Sequence, residues 1–231
     1  MNCLELCAGS GSFSKAAAAR GFNCVTVDVS EKYSPTHCCC IHEWDEEQYA
    51  PGFFKLVWCS TECTEYSIAL RNRPRDLQKA DRLATRCMQL LQKYMNEGCT
   101  VYLENPHSSL LWQRMPAAAA LPHIIVDYCA YGSPMKKRTR IASNGLRGVL
   151  PRLCPKRECP SKNGTGRHIM TAQTGSRGAA QKCSAKNAQW AVPRGLIDGL
   201  LNQFFISRHQ GACAPENKKA KSQSEASKQL E

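Results

Sequence analysis

The sequence predicts an α/β protein with a doubly wound, mostly parallel sheet that carries helices on both faces, plus a basic, irregular C-terminal region. Three observations support this fold class. Strand-like and helix-like segments alternate up to about residue 143, the turn after the first strand is rich in glycine, and the second strand ends in an acidic residue. Alternation of this kind is typical of parallel sheets, because parallel neighbours need a crossover that a helix usually supplies.

The first predicted unit is a strand, a helix and a second strand. Residues 3–6 form a short apolar strand that runs into the glycine-rich turn. Good helix formers follow over residues 14–20, and Gly21 ends that helix. Residues 24–28 then form a β-branched strand that ends in Asp28.

Four more strands complete the predicted sheet, and a long helix is expected to pack on it. The helix spans residues 77–95 and has apolar residues at helical spacing, which indicates that one of its faces is buried. The strands are expected at residues 54–59, 100–103, 124–129 and 139–143.

The C-terminal part of the chain loses this periodicity. Residues 151–186 are rich in Gly, Pro, Lys and Arg and predict a basic loop region. A last helix begins at Val192-Pro193 and ends near residue 205, whereas residues 206–231 are polar and are expected to be disordered. One domain over residues 1–205 is therefore predicted.

Composition favours a soluble, intracellular protein that binds a polyanion. No apolar run approaches the roughly 20 residues of a membrane span, and the start lacks the pattern of a signal peptide. The 15 Cys residues lie mostly in strand-like contexts, so free buried thiols are expected rather than disulfides. The net charge of +12 arises after residue 66, because residues 1–66 hold four Lys or Arg against nine Asp or Glu. A solubilising surface is the alternative to a polyanion site.

The glycine-rich turn predicts a cofactor site. Glycine lets the backbone approach a ligand closely, and an acid about 20 residues later is placed to bind a ribose diol. Gly9, Gly11 and Asp28 fit this pattern. It does not distinguish a nucleotide from S-adenosylmethionine, and a purely structural turn with a capping acid remains open.

Polar groups follow two neighbouring strands, where ligands of open α/β sheets bind. Cys63 lies in a polar loop and is a candidate nucleophile, with a half-buried loop cysteine as the alternative. Glu104 reaches the same edge and is a candidate for hydrogen bonding to a substrate, with a turn-capping acid as the alternative. Arg138 and Arg140 alternate on a strand and share one face, suited to phosphate or a base carbonyl unless that face is only a solvated edge.

The order of these motifs resembles that of the DNA cytosine-5 methyltransferases, in particular the small, compact members found in phages and viruses. Matching segments run from about residue 3 to residue 205. The specific matches are Cys-Thr-Glu-Tyr-Ser at residues 63–67 and the stretch over residues 131–140. The family typically has Pro-Pro before the cysteine, whereas this chain has Thr61-Glu62.

The resemblance implies a Rossmann-like methyltransferase fold and methyl transfer from S-adenosylmethionine to C5 of a flipped-out cytosine in DNA. Cys63 is then the nucleophile, Glu104 the acid that activates cytosine, and Arg138 and Arg140 orient the substrate. The expected cofactor-binding residues are Leu6, Cys7, Ala8, Gly9, Gly11, Phe13, Asp28, Val29, Asn187 and Val192. The expected nucleic-acid contacts are Ser67, Lys136, Lys137, Arg152, Lys156, Arg157 and Arg167.

Three alternatives remain open at this stage. The substrate could be structured RNA, and Thr61-Glu62 could mark a catalytically impaired relative that binds nucleic acid or a partner protein. The third concerns metal. No metal is expected, since a basic loop with incidental Cys and His is favoured over a zinc site. The candidate ligands for that less favoured site are Cys154, Cys159, His168 and Cys183. A monomer is expected.

Overall fold

A computed structural model gives the architecture of the chain. Among the residues that it describes, no helix is long and apolar enough to cross a membrane. The described residues are 1–146, 148–164, 166–171, 181–182 and 191–212.

Seven strands form one mixed sheet in the order β3-β2-β1-β4-β5-β7-β6. Only β7 runs against its neighbours. Its reversal has a simple cause, because the connection from β6 to β7 is too short to hold a crossover helix. The strands are β1 (Asn2–Leu6), β2 (Asn23–Asp28), β3 (His37–Cys38), β4 (Phe54–Cys59), β5 (Thr100–Pro106), β6 (His123–Asp127) and β7 (Arg138–Ser143).

Helices cover both faces of this sheet, as the sequence predicts. The last helix continues through Ala212, past the predicted end near residue 205, because no proline or glycine lies between Phe205 and Gly211. The helices are α1 (Ser12–Ala18), α2 (Leu77–Asn96), α3 (Leu111–Arg114), α4 (Pro116–Ala120) and α5 (Arg194–Ala212).

Alternate residues of the central strands fill two separate cores. Leu4 and Val57 pack on the side of α2. Trp58 faces the side of α1 and α5, where its ring stacks on that of Phe13 with centroids 4.8 Å apart. Burial on both faces explains why these strands read as nearly continuous apolar runs.

The described part of the basic C-terminal region is largely irregular and packs against the β6–β7 connection. Asp127 donates its backbone N–H to the carbonyl oxygen of Arg152 at 3.1 Å. Ser161 donates its hydroxyl to the carbonyl oxygen of Ser133 at 2.7 Å. These bonds attach the region to the end of β6 rather than to the helical faces.

Candidate active site

A cavity of about 410 Å³ lies at the carboxyl edge of the parallel strands. Its walls come from the turn after β1, the end of β2, the loop after β4 and the end of β5. This is the edge at which ligands of open α/β sheets bind, and the volume is that of a small-molecule site.

The glycine-rich turn after β1 forms one wall. Gly9 and Gly11 have φ values of 50° and 65°, a left-handed conformation that favours glycine. Gly9 donates its backbone N–H to Oδ2 of Asp28 at 2.8 Å. A Cβ atom at Gly9 would meet no protein atom within 4 Å, so this side of the turn is open to a ligand.

Most of the predicted cofactor residues lie on the cavity wall. Leu6 and Phe13 do not, because both are buried in the cores beneath it. Gly11, which immediately precedes α1, is not on the wall either. Asn187 lies outside the described residues. Those that line the cavity are Cys7, Ala8, Gly9, Asp28, Val29 and Val192.

Val192, which lies just before α5, is hydrogen-bonded to the first residue of α1. Its backbone N–H donates to the hydroxyl oxygen of Ser12 at 3.2 Å. Residues from opposite ends of the chain therefore close the same side of the cavity.

Glu5 is a cavity residue that the sequence interpretation missed. It lies in β1, only 2% exposed, and accepts backbone N–H bonds from Phe13 at 3.2 Å and Ser14 at 2.8 Å. Burial raises its pKa to about 7, although these hydrogen bonds oppose the rise. An acidic residue inside an otherwise apolar strand was the available sequence signal.

Cys63 lies half-buried on the wall of the cavity, in the loop between β4 and α2. Tyr66 anchors this loop, because its ring is fully buried and its hydroxyl donates to Oδ1 of Asp81 on α2 at 2.8 Å. The backbone of Tyr66 also accepts an N–H bond from Leu110 at 3.0 Å. The cysteine therefore follows a fixed backbone path.

The dipeptide before the cysteine is held by a side chain instead of by proline rings. Asn105, fully buried at the end of β5, donates its Nδ2 group to both the carbonyl and the hydroxyl oxygen of Thr61 at 3.0 Å. Thr61 thus obtains from Asn105 a restraint that a proline would supply through its ring.

The charges around Cys63 act in opposite directions. Burial raises the pKa of its thiol, Lys137 lowers it, and Glu104 and Glu62 raise it, so that the net shift is upward. Ionisation of the thiol in this environment is therefore opposed mainly by burial, and one ammonium group and two carboxylates modify that effect.

Glu104 is buried at the end of β5 and also lines the cavity. Its Oε1 atom accepts the hydroxyl of Tyr128 at 3.0 Å and the ammonium of Lys137 at 3.3 Å. Lys137, expected from sequence to contact nucleic acid, lines the cavity and pairs with this carboxylate.

The structure differs from the sequence expectation at Arg138 and Arg140, neither of which lines the cavity. Arg138 makes a bidentate pair with Asp127 at 3.0 and 2.9 Å. The guanidinium of Arg140 lies over the ring of Trp112, 4.4 Å from its centroid. Alternate residues of a strand face opposite sides, so Lys137 is the basic residue of this stretch that faces Glu104.

Comparison with known proteins identifies the family. A probable DNA (cytosine-5)-methyltransferase of Frog virus 3 (isolate Goorha) is 30% identical over 222 residues, which cover 87% of this chain and 99% of the relative. The chain belongs to the DNA (cytosine-5)-methyltransferase family. The resemblance stated from its motifs is therefore confirmed. No protein-family model matches the chain.

A solved methyltransferase structure shares the fold. The Entamoeba histolytica methyltransferase EhMeth aligns with a TM-score of 0.54 at 10% identity, over 90% of this chain and 98% of its own. The S. pombe Dnmt2 methyltransferase aligns with a TM-score of 0.42 at 14% identity, over 62% of this chain and 48% of its own. The chain thus spans about half the length of the S. pombe structure.

Outside the cavity, this methyltransferase carries exposed basic side chains on and near the irregular region. Ser67 lies half-buried on the Cys63 loop, where its hydroxyl accepts the N–H of Ala69 at 3.2 Å. The predicted nucleic-acid contacts that are exposed are Lys136, Arg152, Lys156, Arg157 and Arg167. Their role stays a prediction.

The methyltransferase also brings three of the predicted metal-ligand candidates together. Sγ of Cys154 and Sγ of Cys159 each lie 3.5 Å from Nε2 of His168. Cys129 completes this group of four possible metal ligands. It follows β6, whereas the sequence interpretation placed it inside a strand. Cys183 lies outside the described residues.

Proposed function

We propose that this methyltransferase transfers a methyl group from S-adenosylmethionine to C5 of cytosine in DNA, through a covalent adduct on Cys63. One observation carries the proposal. The thiol of Cys63 and the carboxylate of Glu104 line the same cavity as the open turn at Gly9 and the carboxylate of Asp28. A nucleophile and a group that binds the substrate thereby share a wall with a cofactor-sized space.

The cavity residues fit the methyl donor. Asp28 uses one lone pair of each carboxylate oxygen for a backbone N–H, from Gly9 at 2.8 Å and Ser30 at 2.9 Å. Each oxygen keeps a further lone pair for a ribose hydroxyl. Bound S-adenosylmethionine would supply an electrophilic methyl group, and Val192 would help to close its pocket.

Cys63 and Glu104 perform complementary steps on the base. The thiolate of Cys63 adds to C6, so that an S–C6 bond forms and the electrons of the C5–C6 double bond make C5 nucleophilic. Glu104 hydrogen-bonds to N3 and the exocyclic amine, where charge changes during this addition. After C5 gains the methyl group, loss of its proton to a base restores the double bond and breaks the S–C6 bond.

The target base must leave the duplex to reach Cys63, because C6 is inaccessible within stacked bases. We assign residues 1–205 to one catalytic domain, in which residues 151–186 act as a reduced target-recognition element. Exposed Arg152, Lys156 and Arg157 would contact phosphates, which position a duplex without specifying its sequence.

A trapped adduct tests this function. Oligonucleotides of mixed sequence that contain 5-fluorocytosine are incubated with the protein and S-adenosylmethionine. Because C5 then carries fluorine in place of hydrogen, there is no C5 proton to remove, the elimination step is blocked and the S–C6 bond persists. We expect an adduct by intact-mass measurement with DNA. It should be lost in Cys63→Ser and retained in Cys38→Ser, which changes an exposed cysteine off the cavity wall.

The raised pKa of Cys63 favours a second candidate, a family member of low activity that binds nucleic acid. The same assay separates the possibilities. Absence of an adduct with both DNA and RNA, while calorimetry shows cofactor binding, would support the second candidate and contradict the first. An adduct with RNA alone would contradict DNA as the substrate.

A further inference from the structure

We propose that Cys129, Cys154, Cys159 and His168 bind one zinc ion as a structural site that anchors the basic C-terminal region. The four ligand atoms all lie within 4.8 Å of one another. They come from two separate stretches of the chain, since Cys129 follows β6 and the other three lie in the irregular region.

The separations match tetrahedral zinc. Zn–S bonds of about 2.3 Å and Zn–N bonds of about 2.0 Å at tetrahedral angles place sulfur and nitrogen roughly 3.5 Å apart. Nε2 of His168 lies 3.5 Å from Sγ of both Cys154 and Cys159. The cluster thus has the dimensions of a coordination shell without rearrangement of the backbone.

The donor atoms select zinc among the common ions. All three cysteines are free thiols, and thiolate with imidazole is a ligand set for zinc rather than for magnesium or calcium. Binding would release the thiol protons to solvent and leave a net charge of about −1 from three thiolates, one imidazole and the dication. Lys136 and Lys162 act electrostatically on His168 and would offset that charge.

The site is structural because it is closed and lies away from the reacting groups. Four protein ligands fill a tetrahedral shell, which leaves no position for water or substrate. None of the four residues lines the cavity that holds Cys63. Cys129 and Cys159 are 1% and 4% exposed, so the metal would be shielded from solvent on their side.

Zinc would reinforce the hydrogen bonds that already join the end of β6 to the irregular region. Cys154 donates its backbone N–H to Oδ2 of Asp127 at 2.9 Å, and Lys162 pairs with His168 across a short antiparallel bridge. The ion would link these pieces to each other and hold exposed Arg152 and Arg157 at a fixed place on the surface. That last consequence rests on the proposed function, whereas zinc binding itself does not.

Metal content of the full chain tests the site directly. Protein purified without strong chelators should contain about one zinc ion per chain by elemental analysis. Cys154→Ser and Cys159→Ser should lose it, and Cys38→Ser should keep it. A cluster of Cys7, Cys59 and Cys87 also lies within 4.8 Å, so Cys87→Ala is the discriminating control and should keep the zinc. Zinc-free wild-type protein, zinc retained in Cys154→Ser, or zinc lost only in Cys87→Ala would each overturn the proposal.

Cobalt substitution provides a readout that does not depend on a destabilised variant. Wild-type protein loaded with Co²⁺ should show the visible bands of tetrahedral cobalt with thiolate ligands. His168→Cys should retain the ion and show stronger sulfur-to-cobalt charge transfer, because a fourth thiolate replaces the imidazole. An octahedral spectrum, or no change in charge transfer in His168→Cys, would contradict this ligand set. If zinc-loaded protein forms no 5-fluorocytosine adduct, that result would contradict the proposed function and leave the proposed zinc site standing.

Discussion

Nζ of Lys137 lies 3.3 Å from Oε1 of Glu104, inside the cavity whose wall also holds Cys63. The ammonium therefore acts on two groups at once. It neutralises a carboxylate that would otherwise be buried without a cation, and it lowers the pKa of the thiol against the effect of burial. Lys137 is thus a positioning and charge-balancing residue for the proposed nucleophile.

Replacement of Lys137 by methionine should make Cys63 harder to ionise. We expect the pH profile of Cys63 alkylation, followed on its peptide by mass spectrometry, to move upward. A shift of one unit would reduce adduct formation at neutral pH roughly tenfold. Lys137→Arg, which keeps the charge, should restore most of the rate. An unchanged alkylation profile in Lys137→Met would show that the cation does not act on the thiol.

Removal of the charge at Glu62 should have the opposite effect. Glu62 is exposed and raises the pKa of the neighbouring thiol, so Glu62→Gln should increase the thiolate fraction and the single-turnover rate at neutral pH. The gain should be modest, about two- to fivefold, because solvent screens an exposed charge. Glu62→Asp is the matched control that retains the charge. Equal rates in both variants would contradict this electrostatic account.

Loss of the Asn105 amide should loosen the loop that carries Cys63. Asn105→Leu removes the donor that holds Thr61 and leaves two acceptors in a buried place. We therefore expect a loss of about 1–3 kcal/mol in the free energy of unfolding, measured by urea denaturation. Adduct formation should fall further than the folded fraction does. Thr61→Ser keeps both acceptors and should stay within about 1 kcal/mol of the wild type.

Glu5 should make stability depend on pH near neutrality. Its pKa is about 7 in the folded protein and 4.5 as the ordinary value. Because the folded value is the higher one, its stabilising contribution is full below about pH 4.5 and is lost as the pH rises through 7. The difference corresponds to about 3 kcal/mol. Thermal unfolding from pH 4.5 to 9 should show this decline in the wild type and a flatter profile in Glu5→Gln. Parallel profiles would rule out the buried carboxyl as the cause.

The elements that the sequence predicts well depend on local pattern. The turn containing Gly9 follows an apolar strand, Asp28 ends the next one, and the edge of a parallel sheet brings both to one place. Cys63 follows β4 and Glu104 lies near the end of β5, so adjacency of these strands is enough to bring them to one cavity. Local order along the chain thus determined this part of the candidate site.

The parts that sequence did not predict depend on how a reversed strand and a distant loop pack. Arg138 and Arg140 were expected to face the substrate, but the direction and register of β7 turn them towards Asp127 and Trp112. Lys137 is one residue earlier and faces the cavity. Cys129 lies beside Cys154, Cys159 and His168 only because a segment that begins many residues later folds against it, which no spacing rule could reveal.

The reversal of β7 has a consequence for how chain length can vary among related proteins. The short connection before it holds Tyr128 and Lys137, which both bond to Glu104, and Cys129 of the proposed zinc site. One added residue there would shift the register of these side chains relative to both sites. We therefore expect homologous chains to keep a constant number of residues between β6 and β7.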